Sequence, residues 1–273
     1  MAEGSILNFC DVSLRYEDVW ALRDVSLTLN PGETRIILGA AGSGKTTLLK
    51  AVIGLVPVDR GQIKVFGEDV TAMKETQLFG LRSRAGMVFQ EGGLFDSLSV
   101  GENVEYPLLN RQASAQANGT QPNGDSESRV RDALRFVELE QTYDKLPSEI
   151  SGGMRRRVGI ARAIVTGPPL VLYDSPTAGL DPITANTIMA LIVKERDVRN
   201  SAALIVTHRY QDGELMAGFR YDREKEALVS VTGEESRTKF IVMKEGAIVF
   251  FGTRQELEQS EDPYVRRFVK HED

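Results

Sequence analysis

Residues 39–47 read GAAGSGKTT, and no other stretch limits the fold so tightly. Gly39, Gly44, Lys45 and Thr46 fit the pattern G-x-x-x-x-G-K-[ST]. In that pattern glycines let backbone N–H groups curl around an anion, and the helix that follows adds the partial positive charge of its N-terminus. A loop of Gly39, Ala40, Ala41, Gly42, Ser43 and Gly44, entering a helix at Lys45, Thr46 and Thr47, is a phosphate cradle. Lys45 would reach the β- and γ-phosphates of a nucleoside triphosphate, and Thr46 would ligate magnesium. The loop needs a strand before it and a helix after it. The chain supplies RIILG and KTTLLKAVIGL in those places, so an α/β unit opens here.

The rest of the chain fits around that unit. ILNFCDVSLRY and VSLTLNPGETRIILG read as strands, with a turn at Asn30, Pro31 and Gly32. From residue 91 to about 160 the pattern turns helical, in ESRVRDALRFVELE and MRRRVGIARAIV. Between Asn110 and about Arg129 the chain is rich in Asn, Gln, Ser and Gly and has almost nothing apolar to bury, which predicts a flexible connection. Strand-like runs return at PLVLYD, SAALIVTH and KFIVMKEGAIVFFG, with the helical ITANTIMALIVKERD between the first two. The pattern is an α/β core interrupted by a helical subdomain.

Bulk properties set the outer limits. A chain of 273 residues has ample material for a core. Its net charge of −6 gives no electrostatic footprint for nucleic acid. A single cysteine, Cys10, excludes an intrachain disulfide and fits a reducing compartment. No apolar run approaches the length needed to span a bilayer, and MAEGSILNFC lacks a signal pattern. The expected location is the cytoplasm, with docking on a membrane protein left open.

Two further motifs narrow the chemistry. The apolar PLVLYD ends in Asp174, placed as a strand-end carboxylate that completes the magnesium site. In ISGGMRRRVGIARAI, Ser151 is a good N-cap, and Gly152 and Gly153 let an anion approach the backbone closely. The chain therefore offers two glycine-fronted helix N-termini.

With these motifs in order, the sequence resembles the ATP-binding subunits of ABC transporters over nearly its whole length. SGGMRRR stands where that family has its signature, YDSPTAGLDP where it has the strand-end motif and D-loop, Gln90 in the Q-loop, His208 as the switch histidine and Tyr16 as the aromatic that stacks on adenine. The resemblance implies a P-loop, RecA-like α/β ATPase core with an N-terminal antiparallel β subdomain and an inserted helical subdomain. It implies one domain over residues 1–273: the core with its β subdomain at about 1–90 and 161–252, the helical part at about 91–160 and a tail at about 253–273. ATP and Mg2+ are the implied cofactors, with Thr46, Gln90 and Asp174 at the metal. The implied assembly is a homodimer, or a pair with a similar ATPase subunit. Each ATP then lies between one phosphate loop and the partner's signature, Asp181 contacts across the interface, and an integral membrane permease is held at the inner face of the cytoplasmic membrane.

FQEGGLFDSLSVGENVEYPL, LPSEISGGMRRR and DPYVRRFV look more narrowly like the subfamily that energises Mla and Mce lipid-transport systems. That likeness implies a phospholipid or other hydrophobic substrate and a lipid-carrying Mce-type partner. Leu94, Phe95, Leu98 and Val100 then read either as walls of a groove for a permease helix or as core of the helical subdomain. One departure from the family is the stretch from Gly218 to Lys239, longer than usual, which reads as a β-hairpin with a polar tip.

A second departure falls in the reaction site. Where the family has a glutamate after the strand-end aspartate, this chain has Ser175. Serine cannot take a proton near neutral pH, and general-base help of about 10²–10⁴-fold is at stake. Three readings are open: slow hydrolysis with Ser175, His208, Gln90 and Lys45 positioning water and charge; a substitute carboxylate such as Glu91; or a module that binds nucleotide without turnover. A soluble ABC protein of DNA repair or translation is the rival of another class, and it would carry tandem nucleotide domains or long coiled coils.

Overall fold

The computed structural model describes residues 4–117, 125–231 and 236–269, with the side chains of 112–117 left aside. The chain opens with the strands β1 (Leu7–Tyr16), β2 (Val19–Leu29) and β3 (Thr34–Gly39), then α1 (Lys45–Val52), β4 (Arg60–Val65), β5 (Glu68–Asp69), α2 (Glu75–Arg82) and β6 (Ala85–Val88). Three helices follow, α3 (Val100–Ala117), α4 (Ser126–Phe136) and α5 (Gly152–Ile164). The core resumes with β7 (Leu170–Asp174), α6 (Pro182–Arg199), β8 (Ala202–Val206) and α7 (Tyr210–Gly218). Last come β9 (Phe219–Asp222), β10 (Ala227–Ser230), β11 (Thr238–Lys244), β12 (Ala247–Gly252), α8 (Arg254–Glu258) and α9 (Pro263–Arg266).

A six-stranded sheet in the order β12-β11-β3-β8-β7-β6 forms the centre, and β1, β2, β4 and β5 form a separate antiparallel sheet. Every residue of β3 and of β8 is buried. A parallel strand covered on both faces needs such an unbroken apolar run. The side chains alternate between two cores, as the two-residue period of a strand demands. Ile36, Leu38, Val171, Tyr173, Ala203 and Ile205 pack on the side of α3 to α7. Ile37, Leu170, Leu172, Leu204 and Val206 pack on the side of α1 and the antiparallel sheet.

One expectation changes. The polar run from Asn110 does not begin a loop, because α3 continues to Ala117 and α4 starts at Ser126; the remainder of that run lies outside the described residues. Ala and Gln are good helix formers, so a helix persists there without an apolar stripe. The hairpin expected between Gly218 and Lys239 is present as β9 and β10, paired antiparallel from Asp222 with Ala227 to Phe219 with Ser230.

Candidate functional site at the carboxyl edge of the sheet

Strands β3, β8, β7 and β6 are parallel neighbours. Their carboxyl ends therefore deliver Gly39, His208, Asp174 and Gln90 to one edge, the usual place for ligands in open α/β sheets. Gly39 is the last residue of β3, and a Cβ there would sit 2.5 Å from the carbonyl oxygen of Met243 and from Ser43 Oγ. Gly44 has φ 101°, and its Cβ would lie 2.1 Å from the carbonyl oxygen of Ala21. Only glycine fits both positions, so the loop is pressed between β11 and β2.

Within the loop Ala40, Ala41, Gly42 and Thr46 are exposed and Ser43 is buried. Lys45 Nζ donates to the carbonyls of Gly39 and Ala40, both at 2.7 Å, and to Ser43 Oγ at 3.3 Å. Burial holds the Lys45 ammonium below the ordinary lysine range, and the Asp174 carboxylate works against that shift. Thr46 Oγ1 lies 3.4 Å from Asp174 Oδ1. A hydroxyl beside a carboxylate, one residue after a lysine, is an oxygen donor set suited to magnesium bound to a triphosphate. Tyr16 is 51% exposed at the end of β1, on the hairpin whose Ala21 carries Gly44, so its ring is free to stack on a base.

Ser175 sits at φ 50°, an unusual conformation for a residue with a side chain. Its N–H donates to the Val206 carbonyl at 2.8 Å, extending the β7–β8 pairing by one step. The Ser175 hydroxyl lies 3.4 Å from Asp174 Oδ1. His208 and Gln90 are exposed at the same edge. Glu91 is exposed and lies beside the Arg156 guanidinium, lining a recess with Gly152 and Gly179.

The signature end is built as its sequence suggests. Ser151 caps α5, its Oγ accepting the Met154 N–H at 3.2 Å, and Gly152 is exposed. Gly153 packs on the start of α6, where a Cβ would meet Thr184 Cγ2 at 2.8 Å. Asp181 caps α6 by accepting from the N–H groups of Ile183 at 3.1 Å and Thr184 at 3.0 Å. Hydrogen bonding to Thr184 holds the Asp181 carboxyl below its usual range.

Several positioning groups escaped sequence reasoning. The buried Asp212 on α7 accepts from Thr177 Oγ1 and, at 2.6 Å, from Thr207 Oγ1. One carboxylate oxygen thus ties the loop after Ser175 to the residue before His208. Burial pushes the Asp212 carboxyl upward, and the threonine bonds oppose that. Arg156 donates to the carbonyls of Pro176, at 3.0 Å, and Ala178. The buried Arg162 donates to the carbonyls of Gly92 at 2.8 Å and Gly93 at 2.7 Å, fixing the chain just after Gln90. Asn103 seals the next stretch, bonding Phe95 through both its N–H and its C=O. None of these residues carries a local motif, because each partner is distant in sequence.

Beyond Gln90 a groove of about 460 Å³ is lined by Phe79, Phe89, Phe95, Tyr106 and Pro107 with Arg162 at its wall. The four residues considered for a groove separate: Val100 is fully buried, Leu94 packs against the core, Leu98 is half-buried and Phe95 is 43% exposed. Only Phe95 of the four lines this groove.

The sequence matches the family model described as ABC transporter over residues 22–178. That is more than half of the chain, and the chain belongs to this family. The methionine import ATP-binding protein MetN of Corynebacterium efficiens is 36% identical over 251 residues, covering 91% of this chain and 62% of that protein. The probable ribonucleotide transport ATP-binding protein mkl of Mycobacterium tuberculosis is 32% identical over 255 residues, covering 92% and 62%. The chain thus spans less than two thirds of the length of these relatives. Among solved structures, the dimeric post-hydrolysis state of the ATP-binding cassette MJ0796 bound to ADP and Pi has a TM-score of 0.73 and 26% identity, covering 90% of this chain and 98% of that one. The structure of cbiO1 from Clostridium perfringens, part of the ABC transporter complex cbiONQ, has a TM-score of 0.75 and 27% identity, covering 98% and 95%.

Proposed function

We propose that this chain is the ATP-binding and ATP-hydrolysing subunit of an ABC transporter. The meeting of Lys45, Thr46 and Asp174 at one sheet edge carries the reading, since Thr46 Oγ1 and Asp174 Oδ1 lie 3.4 Å apart. In this reading the phosphate-loop N–H groups and Lys45 hold the triphosphate, and Tyr16 stacks on the base. Thr46, Asp174 and Gln90 hold magnesium, which supplies charge neutralisation on the phosphates. His208, Ser175 and Gln90 would orient the attacking water. Ser151, Gly152 and Gly153 meet the nucleotide of a second subunit, and Asp181 contacts that subunit. A second subunit is supported by the exposure of Ser151 and Gly152 and by the dimeric neighbour.

Ser175 sets the rate. Phosphoryl transfer is mainly positioning and charge stabilisation, and those groups are present. In this reading loss of the carboxylate base leaves a slow ATPase, and Glu91 is an exposed loop charge beside Arg156.

The apolar groove beside Gln90 suits a short permease helix, entered apolar face first. No helix among the described residues is long and apolar enough to cross a membrane, and in this reading the permease supplies the membrane-spanning part. For the cargo, the phrases shared with Mla and Mce ATPases favour a phospholipid or similar molecule and an Mce-type carrier. The names of the relatives, methionine import and ribonucleotide transport, favour a small polar solute instead. Purification of the tagged chain from detergent-solubilised membranes tests the transporter reading. A co-purifying permease supports it, and bound lipid in that complex selects the first cargo. Recovery with soluble partners alone overturns it.

A further inference from the structure

The C-terminal segment reaches the phosphate loop. Leu257 on α8 and Val265 on α9 are buried in the core on the α3 to α7 side of the sheet. Asp262 caps α9 by accepting the Tyr264 N–H at 2.7 Å. The Tyr264 ring stands edge-on to Phe268 with centroids 5.2 Å apart, and the Lys244 ammonium lies 5.2 Å from its centre. Its hydroxyl bridges two backbones. It donates to the Met243 carbonyl at 3.0 Å and accepts the Ala40 N–H at 3.3 Å. Those directions are forced, because a carbonyl only accepts and an amide N–H only donates.

The Ala40 N–H and the Gly39 carbonyl belong to one peptide plane, which is rigid. That carbonyl accepts from Lys45 Nζ at 2.7 Å. Gripping the N–H end therefore fixes the direction in which the carbonyl end holds the ammonium. The grip matters at this place. Gly39 has φ 154°, and as a glycine it resists rotation of the following peptide weakly. The Ala40 carbonyl is held by Lys45 Nζ at 2.7 Å and by the Ser43 N–H at 3.2 Å, but those bonds act on the next peptide plane, and the Tyr264 hydroxyl is what takes the N–H of the Gly39–Ala40 plane. We infer that Tyr264 is a positioning residue for nucleotide binding, acting on Lys45 through the Gly39–Ala40 peptide.

The inference rests on the nucleotide reading above, and a double-mutant cycle in affinity separates the two. The Kd of a fluorescent ATP analogue with magnesium is measured for wild type, Tyr264→Phe, Lys45→Ala and the double variant, each first shown to be folded by circular dichroism. Tyr264→Phe keeps the ring and removes one hydrogen bond, so the expected loss is about 2- to 10-fold. In the Lys45→Ala background the same change should cost nothing more, since there is no ammonium left to aim. A purely structural tyrosine would give equal losses in both backgrounds, or none, and either result overturns the inference. If Lys45→Ala itself binds as tightly as wild type, the nucleotide reading fails and takes this one with it.

Discussion

Thr46 and Asp174 are 128 residues apart in sequence and 3.4 Å apart between Oγ1 and Oδ1. One lies in the first turn of the helix after β3 and the other ends β7, with β8 paired between those strands. The loop after β3 and the first turn of α1 must therefore carry Thr46 past β8 to reach the carboxylate, because a side chain alone does not span a strand spacing. Only a sheet that sends parallel strands to a common edge makes this contact, and its oxygens are the ones a metal bound to phosphate requires.

Asp174→Asn keeps the shape of the side chain and removes its charge. Magnesium should then stop strengthening ATP binding, while ATP without metal binds nearly as before. Isothermal titration with and without magnesium checks this. An undiminished magnesium effect would place the metal elsewhere.

Ser175→Glu restores a carboxylate beside Asp174. Turnover should rise by about 10²-fold, the lower end of general-base contributions. The side chain starts from φ 50°, so Ser175→Gly should instead relax the backbone and raise the melting temperature without raising turnover. Steady-state phosphate release and thermal melts on both variants test the pair.

Asp212 answers two buried hydroxyls, those of Thr177 and Thr207. Asp212→Ala leaves both without an acceptor, at a cost of about 1–3 kcal/mol each. Urea titration should show a loss in that range or somewhat above. Turnover should fall as well, because the loop after Ser175 loses its tie to the residue before His208. Asp212→Asn retains one acceptor oxygen and should recover most of both.

Glu195 on α6 is buried and accepts the Ser201 hydroxyl at 2.6 Å. Burial lifts its carboxyl from the usual 4.5 to about 7. The folded chain thus keeps a proton that the unfolded chain releases. Its contribution to stability is full below pH 4.5 and is lost as pH rises through about 7. The shift corresponds to roughly 3 kcal/mol. Glu195→Gln stays neutral, so relative to wild type its stability should climb by up to about that amount between pH 4.5 and 8. Denaturant melts across that range test it, and a pH-independent difference would contradict the burial effect.

Much of this fold is legible where one residue type meets one need. β7 and β8 read directly because strands covered on both faces are almost wholly apolar, β7 up to the Asp174 at its end, and the phosphate loop reads because only glycine fits against Met243 and Ala21. The segment from Arg60 to Val88 is hard to read in the sequence, although it holds β4, β5, α2 and β6. There the elements are short and half-exposed, and the periodic signal is weak. The α3 extension looks like loop because it has little apolar content, although Ala and Gln favour a helix. Asp212 looks like any polar residue of a helix, and Tyr264 lies 224 residues from Ala40. Such contacts exist only once the sheet has formed, so no local pattern announces them.

ATP turnover of the wild-type chain against Lys45→Ala, with Ser175→Glu as the accelerated reference, tests the central claim most directly. Slow phosphate release by wild type, above the Lys45→Ala background and below Ser175→Glu, is the predicted result. If wild type binds ATP and pairs yet releases no phosphate above that background, while Ser175→Glu does, the site holds nucleotide without cutting it and the hydrolase reading is contradicted.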